Sequence, residues 1–160
     1  MMRKLFFKPL FFSGLILITL SSCDKNRVFE KNQKIPNNTW DVKNSIKFQV
    51  PISDTITPTN FYVNIRNTDN YPYRNIYLFI TTQFPDGGKA VDTLECILAD
   101  QNGKWLGSGL GDIWDNQILF KKNVRFPHPG NYIFEFQQAM RTEQLPEIMD
   151  VGLRIEKVRR

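Results

Sequence analysis

The chain has 160 residues, with 21 lysines and arginines against 16 aspartates and glutamates, and a formal net charge of +5 at pH 7. This length fits one domain with a sizeable core. Residues 1–22 contain Arg3, Lys4 and Lys8 and no acidic residue, so the other 138 residues carry only +2. The basic balance therefore belongs partly to this segment and argues little for a nucleic-acid partner, and we predict none.

The N-terminus has the pattern of a secretory signal, since a basic start precedes a short apolar run and small residues. The apolar run, residues 10–20, is about half as long as a membrane-spanning helix requires. The run ends in Leu20-Ser21-Ser22-Cys23, which resembles the bacterial lipobox. That resemblance implies cleavage after residue 22 and a diacylglycerol on Cys23, whose acyl chains attach the protein to a membrane. The alternative is an ordinary signal peptide that leaves Cys23 a free thiol.

The segment after the cysteine is polar, mixed in charge and without periodicity. Such composition predicts a flexible, lipidated tether over residues 23–39, ahead of a folded domain over residues 40–160. Val28, Phe29 and Ile35 are the side chains with which part of this tether would dock on the domain.

From residue 45 onward, apolar and polar side chains alternate with a period of two, which is typical of half-buried strands. The predicted strands cover residues 46–52, 61–66, 75–84, 91–98, 104–106, 118–126, 132–136 and 151–156. The run 75–84 is almost continuously apolar and predicts a central strand that is covered on both faces. A short helix is the only helical candidate, over residues 143–149, although Pro146 interrupts it. We therefore predict a single-domain antiparallel β-sandwich, immunoglobulin-like or jelly-roll-like.

The residues that carry enzyme chemistry are scarce. His128, the only histidine, lies between two prolines in a predicted turn. Cys96 lies in an apolar strand, where we expect a buried, unreactive thiol, and it has no disulfide partner once Cys23 is acylated. Asp112 and Asp115 leave carboxylate catalysis open, but no constellation supports it. We predict no enzymatic activity, no metal site and no cofactor.

Two loops resemble ligand-binding motifs only in part. The stretch that starts at Asp100 lacks the glycine and the glutamate of a calcium loop. Gly107, Gly109 and Gly111 resemble a phosphate loop, yet no lysine–serine pair and no helix follow them. These glycines instead predict a bend or bulge where backbones approach closely.

Tyr71, Tyr73 and Arg74 precede a predicted strand, and Trp105 and Trp114 flank the glycine bend. Tyrosine, tryptophan and arginine are the residue types that carry binding energy at interfaces. These five residues are the candidate interaction surface. The alternative is that their rings close the ends of the sandwich, because such side chains do both.

Five segments carry a family resemblance, namely residues 71–79 (YPYRNIYLF), 92–96 (DTLEC), 105–112 (WLGSGLGD), 138–141 (QAMR) and 150–152 (DVG). Together with the lipobox they resemble the GldH gliding motility lipoproteins of Bacteroidetes. The resemblance implies an envelope lipoprotein needed for gliding, with protein partners in the gliding and type IX secretion machinery. It implies Cys23 as the lipid site, the outer membrane as the expected location, and no catalytic residue.

Two expectations follow from that resemblance. The protein is expected to be a non-catalytic assembly or scaffold component, with a glycan-binding lipoprotein as the alternative. Exposed aromatics in a concave groove with polar neighbours would favour glycan binding, and a flat patch would favour assembly. In addition, Asp54-Thr55-Ile56 and Asp92-Thr93-Leu94 resemble a Bacteroidetes O-glycosylation signal, which makes Thr55 and Thr93 candidate glycosylation sites.

Overall fold

The computed structural model describes residues 24–158, which form eleven β-strands and one 3-10 turn at Pro36–Asn38. The strands are β1 Arg27–Lys34, β2 Thr39–Asp41, β3 Ile46–Ile52, β4 Thr59–Thr68, β5 Asn75–Gln83, β6 Lys89–Ile97, β7 Ser108–Leu110, β8 Ile113–Val124, β9 Gly130–Gln138, β10 Gln144–Pro146 and β11 Ile148–Lys157.

Two antiparallel sheets carry most of the chain. The five-stranded sheet has the order β1-β11-β4-β8-β7, and the four-stranded sheet has the order β3-β9-β5-β6. A small ribbon of β10 and β2 closes one end. Buried side chains from both sheets form one hydrophobic cluster between them. The predicted all-β sandwich is therefore confirmed.

Alternation of side chains builds this core. In β3 the residues from Ile46 to Ile52 alternate between buried and exposed, and β4 alternates in the same way. Aromatic rings join the two sheets, since the centroids of Phe61 in β4 and Phe134 in β9 lie 5.7 Å apart. Edge-to-face and tilted ring contacts of this kind add to the apolar area that the core removes from water.

The structure corrects the prediction of a flexible tether. Residues 27–34 form β1, which pairs along its length with β11, and Thr39–Asp41 form β2. Phe29 packs against the core, and Ile35 is buried within it. Polar side chains on β1 misled the prediction, because an edge strand with few inward residues lacks a clear period. The proposed signal peptide and Cys23 lie outside the described residues.

Two smaller predictions are also wrong. The short helix predicted over residues 143–149 is replaced by β10 and the start of β11, with Glu147 in a left-handed turn (φ 65°) between them. The strand predicted over residues 104–106 is reduced to a single bridge between Ala99 and Trp105. In both places the ends of longer strands and their turns override the local pattern.

The strand directions give the sandwich two distinct ends. The end called here the anchor end carries residues 24–27, the β3–β4 loop at 53–58, and the β8–β9 loop at 125–129. The opposite, distal end carries the β4–β5 loop at 69–74 and the segment 98–107. β4 runs from one end to the other in ten residues, which corresponds to about 30 Å.

Candidate functional site

Four of the five residues chosen from sequence meet at the distal end. Tyr71 is buried and its hydroxyl donates to the carbonyl oxygen of Asn75 at 2.9 Å. Its ring centroid lies 5.7 Å from that of Tyr73 and 6.5 Å from that of Trp105. Burial raises the pKa of Tyr71, so its hydroxyl remains protonated. Tyr71 and half-buried Trp105 thus support the loop, whereas Tyr73 and Arg74 face solvent.

Trp114 is separate from these rings. It lies half-buried on β8, opposite Gly109 of β7. A Cβ on Gly109 would lie 3.0 Å from Cε3 of Trp114 and would also collide with the carbonyl oxygen of Ile113. The glycine bend is therefore the predicted close approach of backbones. Among the described residues, the buried Nε1 of Trp114 has no hydrogen-bond partner.

An exposed apolar face lies next to Tyr73 and Arg74. Tyr77 and Phe79 on β5 point outward and are 39% and 45% exposed. Ile97 on β6 is exposed beside them, opposite Asn75 at the start of β5. The name distal aromatic surface is used below for Tyr73, Arg74, Tyr77, Phe79 and Ile97. Exposed apolar patches on one sheet face mark interaction sites.

This face corrects another prediction. The apolar run 75–84 was expected to be covered on both sides, and β5 is indeed an interior strand of its sheet. Its inward residues are fully buried, but Tyr77 and Phe79 have no protein layer over them in the described chain. Sequence reasoning missed these two residues for that reason. A continuous apolar strand indicates a covered face without indicating which molecule covers it.

Polar groups border the distal aromatic surface. The side-chain amide of Asn75 donates to Oε1 of Glu95 at 2.6 Å. A hydrogen bond with Glu95, together with slight burial, raises the pKa of Tyr77. Apolar side chains with a polar, charged border are the usual composition of a protein interface.

A second surface feature is a polar cleft of about 380 Å³ on the outer face of the five-stranded sheet. The side chains of the cleft lie in rows that run across the strands. The strand registers align one such row over β1, β11, β4 and β8, with Asn32, Gly152, Asn64 and Gln117 in that order. Gly152 lies directly against the Asn32 side chain, since a Cβ at position 152 would occupy the space of the Asn32 amide.

The polar groups of this cleft largely satisfy one another. Asn64 donates to Asn32 at 3.1 Å and accepts from Gln117 at 3.3 Å. In the next row Arg66 binds Asp115 with two hydrogen bonds, at 2.6 and 3.3 Å, and reaches Asp150 at 3.3 Å. These contacts with Asp115, together with the charge of Asp150, outweigh burial and raise the pKa of Arg66.

Among the described residues, none of those that line the cleft is aromatic. The predicted aromatics and this concave polar cleft lie on different parts of the described domain, whereas a sugar-stacking site would bring them together. Asp115, one of the carboxylates considered for catalysis, is occupied by Arg66. Asp112 lies in the β7–β8 turn.

The remaining reactive groups are inert or isolated. Cys96 has a free thiol that is fully buried, and burial raises its pKa to about 12. His128 is exposed in a loop, as predicted, where its backbone and the hydroxyl of Tyr132 exchange hydrogen bonds. Within residues 24–158 there is no group of three or more histidine, cysteine or acidic residues placed to hold a metal ion.

The two candidate glycosylation residues are in different environments. Thr55 is half-buried in the β3–β4 loop, where Oδ1 of Asp54 accepts hydrogen bonds from the amides of Ile56 and Thr57, each at 3.0 Å. Thr93 is exposed on β6, the edge strand of the four-stranded sheet, opposite Phe79. Both threonines therefore lie in segments whose backbone is held by hydrogen bonds.

The first described residue is fixed to the sheet. Asp24 forms an ion pair with Arg154 of β11, whose guanidinium also contacts Glu30 at 2.8 Å and Glu156 at 3.0 Å.

In the described part of the chain, no helix is long and apolar enough to cross a bilayer.

The described residues form an all-β sandwich, and the sequence ahead of them resembles a lipobox, which together indicate a lipoprotein with a β-sandwich domain. The chain matches the GldH lipoprotein family over residues 27–155, and it belongs to that family. As a family member it is a membrane-anchored lipoprotein of the cell envelope. The match starts at β1, which agrees with a folded domain that begins before residue 40.

Two relatives are similar over nearly their whole length. The chain is 37% identical over 163 aligned residues to the gliding motility lipoprotein GldH homolog of Christiangramia forsetii, covering 98% of each chain. It is 36% identical over 155 residues to the gliding motility lipoprotein GldH of Flavobacterium johnsoniae, covering 91% of this chain and 96% of that one.

Among solved structures, part of a family GH115 4-O-methyl-α-glucuronidase with specificity for decorated arabinogalactans resembles 99% of this chain, at a TM-score of 0.45 and 12% identity. This chain covers only 20% of that enzyme.

Proposed function

We propose that the protein is a non-catalytic assembly or scaffold component of the gliding apparatus and its associated type IX secretion machinery. The lipid is carried by Cys23, and the outer membrane is the proposed location. The names of the two relatives, both gliding motility lipoproteins, support the process. The observation that supports a contact function is the distal aromatic surface, which has an interface composition and which no other part of residues 24–158 covers.

The position of this surface suits a partner above the membrane. Asp24, the residue that follows Cys23 in the sequence, lies at the anchor end, whereas Tyr73 and Arg74 lie at the opposite end of the sandwich. A partner can therefore contact the distal aromatic surface without competing with the bilayer. Interface energy concentrates in a few aromatic and arginine side chains, where truncation costs about 2 kcal/mol or more.

Matched surface variants test the proposal. Phe79 and Leu119 are both 45% exposed, but Leu119 lies on the outer face of the other sheet. Phe79→Ser and Arg74→Ala should impair colony spreading on agar when each replaces the native protein, whereas Leu119→Ser should not. All three variants should keep normal abundance and melting temperature, because exposed side chains rarely affect folding. Normal spreading of both test variants would remove the distal aromatic surface from the mechanism.

Lipidation at Cys23 has an independent test. Cys23→Ala should abolish incorporation of labelled palmitate and release the protein from membranes. Continued incorporation in that variant would show that another residue carries the lipid.

A further inference from the structure

The proposed lipid lies immediately beside the folded domain. Cys23 is joined to Asp24 by one peptide bond, so their Cα atoms are about 3.8 Å apart. Asp24 is held by Arg154, and its carbonyl oxygen accepts from the amide of Arg27 at 3.2 Å. Nothing in this arrangement provides the long spacer expected from sequence. A lipid on Cys23 must bring the anchor end of the sandwich to the bilayer surface.

An apolar side chain projects from that end. Ile56, in the β3–β4 loop, is 81% exposed. The loop is well held, because Asp54 accepts from two of its amides and Nε of Arg125 donates to the carbonyl oxygen of Ile56 at 2.8 Å. The backbone hydrogen bond from Thr57, the largest cause, lowers the pKa of Asp54 and keeps it ionised. Ile56 therefore projects into solvent from a loop that these hydrogen bonds hold in place.

Basic residues lie on both sides of the β3–β4 loop that carries Ile56. Lys25, Arg27 and Lys157 line a cleft with the β3–β4 loop, and Arg125 bonds to the loop directly. Nζ of Lys157 lies 3.4 Å from Asp54, and Arg27 pairs with Glu30. Within residues 24–158, neither Lys25 nor Arg125 forms a salt bridge. Basic side chains around an exposed apolar residue are typical of protein surfaces that contact anionic lipid headgroups.

We propose that the anchor end rests on the anionic surface of the membrane that holds the lipid, with Ile56 entering the headgroup boundary and Lys25 and Arg125 contacting lipid phosphates. The proposal rests on lipidation at Cys23, as stated under the proposed function. It makes the membrane a ligand of the folded domain as well as of the acyl chains. The sandwich then stands on its end, with Tyr73 and Arg74 about 30 Å from the bilayer and Phe79, at the middle of β5, about half as far from it.

Site-directed spin labels on the full lipidated protein test this orientation. With Cys23 acylated and Cys96 buried, a cysteine introduced at an exposed position is the reactive thiol of choice. We would label Ile56→Cys, Leu110→Cys at the distal end and Leu119→Cys on the outer sheet face. The last two replace residues that are 92% and 45% exposed. Each protein is placed in vesicles of phosphatidylcholine with phosphatidylglycerol, after its mass has confirmed the lipid.

Accessibility to a water-soluble nickel reagent gives the result. In vesicles, the label at residue 56 should be several-fold less accessible than the labels at residues 110 and 119. Protection at 56 should weaken in vesicles of phosphatidylcholine alone, because the headgroup charge is then absent. Equal accessibility at 56 and 110 in correctly lipidated protein would overturn the proposal. Protection at 119 instead of 56 would place the polar sheet face on the membrane and also overturn it. Absence of the lipid mass would refute lipidation at Cys23 and overturn this proposal together with that part of the proposed function, whereas equal accessibility in lipidated protein overturns this proposal alone.

Discussion

Asp24 and Arg154 lie 130 positions apart in the sequence and form an ion pair at the edge of the five-stranded sheet. The pair joins the first described residue to the last strand. Burial alone would lower the pKa of Arg154, but the hydrogen bonds that its guanidinium donates to Asp24 and Glu156 outweigh burial and raise the pKa. The same guanidinium lowers the pKa of Asp24. This contact fixes the N-terminal segment where the sequence predicts a loose tether.

Replacing Arg154 should therefore destabilise the fold. Arg154→Met leaves Asp24, Glu30 and Glu156 close together without their shared cation. We expect the free energy of unfolding in urea to fall by about 2 kcal/mol, less than for a fully buried pair because the carboxylates are partly exposed. Arg27→Met is the matched control. It contacts the same Glu30 from a more exposed position and should cost less than about 0.5 kcal/mol. Equal effects would refute the role of Arg154 as the shared partner.

Cys96 should make stability depend on alkaline pH. Its folded-state pKa is raised from 9.0 to about 12 by burial, so the unfolded chain loses its thiol proton first. Below pH 9 the Cys96 thiol does not change the free energy of unfolding. Between pH 9 and pH 12 the free energy of unfolding should fall by about 1.4 kcal/mol per pH unit relative to that of Cys96→Ala. Paired urea titrations at pH 8 and pH 10 measure this difference. An unchanged difference, or rapid labelling of the native thiol, would show that Cys96 is accessible.

Gly152 should not tolerate a larger residue. A Cβ at this position would collide with the Asn32 amide and lie 2.8 Å from the carbonyl oxygen of Lys31. Gly152→Ala should lower the free energy of unfolding by about 1–3 kcal/mol, the usual cost of overpacking. Adding Asn32→Ala removes one of the two clashes and should restore part of the loss. A stable Gly152→Ala protein would mean that β1 does not lie over this glycine.

The glycosylation signal at Thr55 remains a prediction. If it is used, the mature protein from its own host carries extra mass that Thr55→Ala removes. Thr93→Ala serves as the comparison, because the second signal lies on an edge strand. An unmodified native mass would end the hypothesis at both positions. Modification at Thr55 would also place a sugar next to Ile56, which would oppose the proposed membrane contact.

Several features of the fold are predictable from the sequence alone. Strict alternation in β3 and β4 specifies strands with one buried face, and the apolar setting of Cys96 specifies its burial. Edge strand β1 is not predictable in this way. Its register with β11 depends on ion pairs and on the close contact between Asn32 and Gly152, and only the paired strands bring these groups together.

The candidate site was predicted only in part. Tyr73 and Arg74 have the expected exposure, but Tyr71 is buried behind them, and Trp114 belongs to another sheet. The sequence predicts that Tyr77 and Phe79 are covered, because a continuous apolar run indicates a covered face without indicating which molecule covers it. Periodicity reports how many faces of a strand are apolar, and the structure reports which of these faces the chain itself covers.

The proposed scaffold function requires that the distal aromatic surface is the partner-binding side of the anchored sandwich. A photoreactive phenylalanine analogue at position 79, compared with the same analogue at position 119, tests this directly in gliding cells. We predict crosslinked envelope-protein adducts from position 79 and none from position 119, with both proteins equally lipidated and abundant. Adducts from position 119 alone, or equal adducts from both positions, would contradict the proposal that the distal aromatic surface binds the partner.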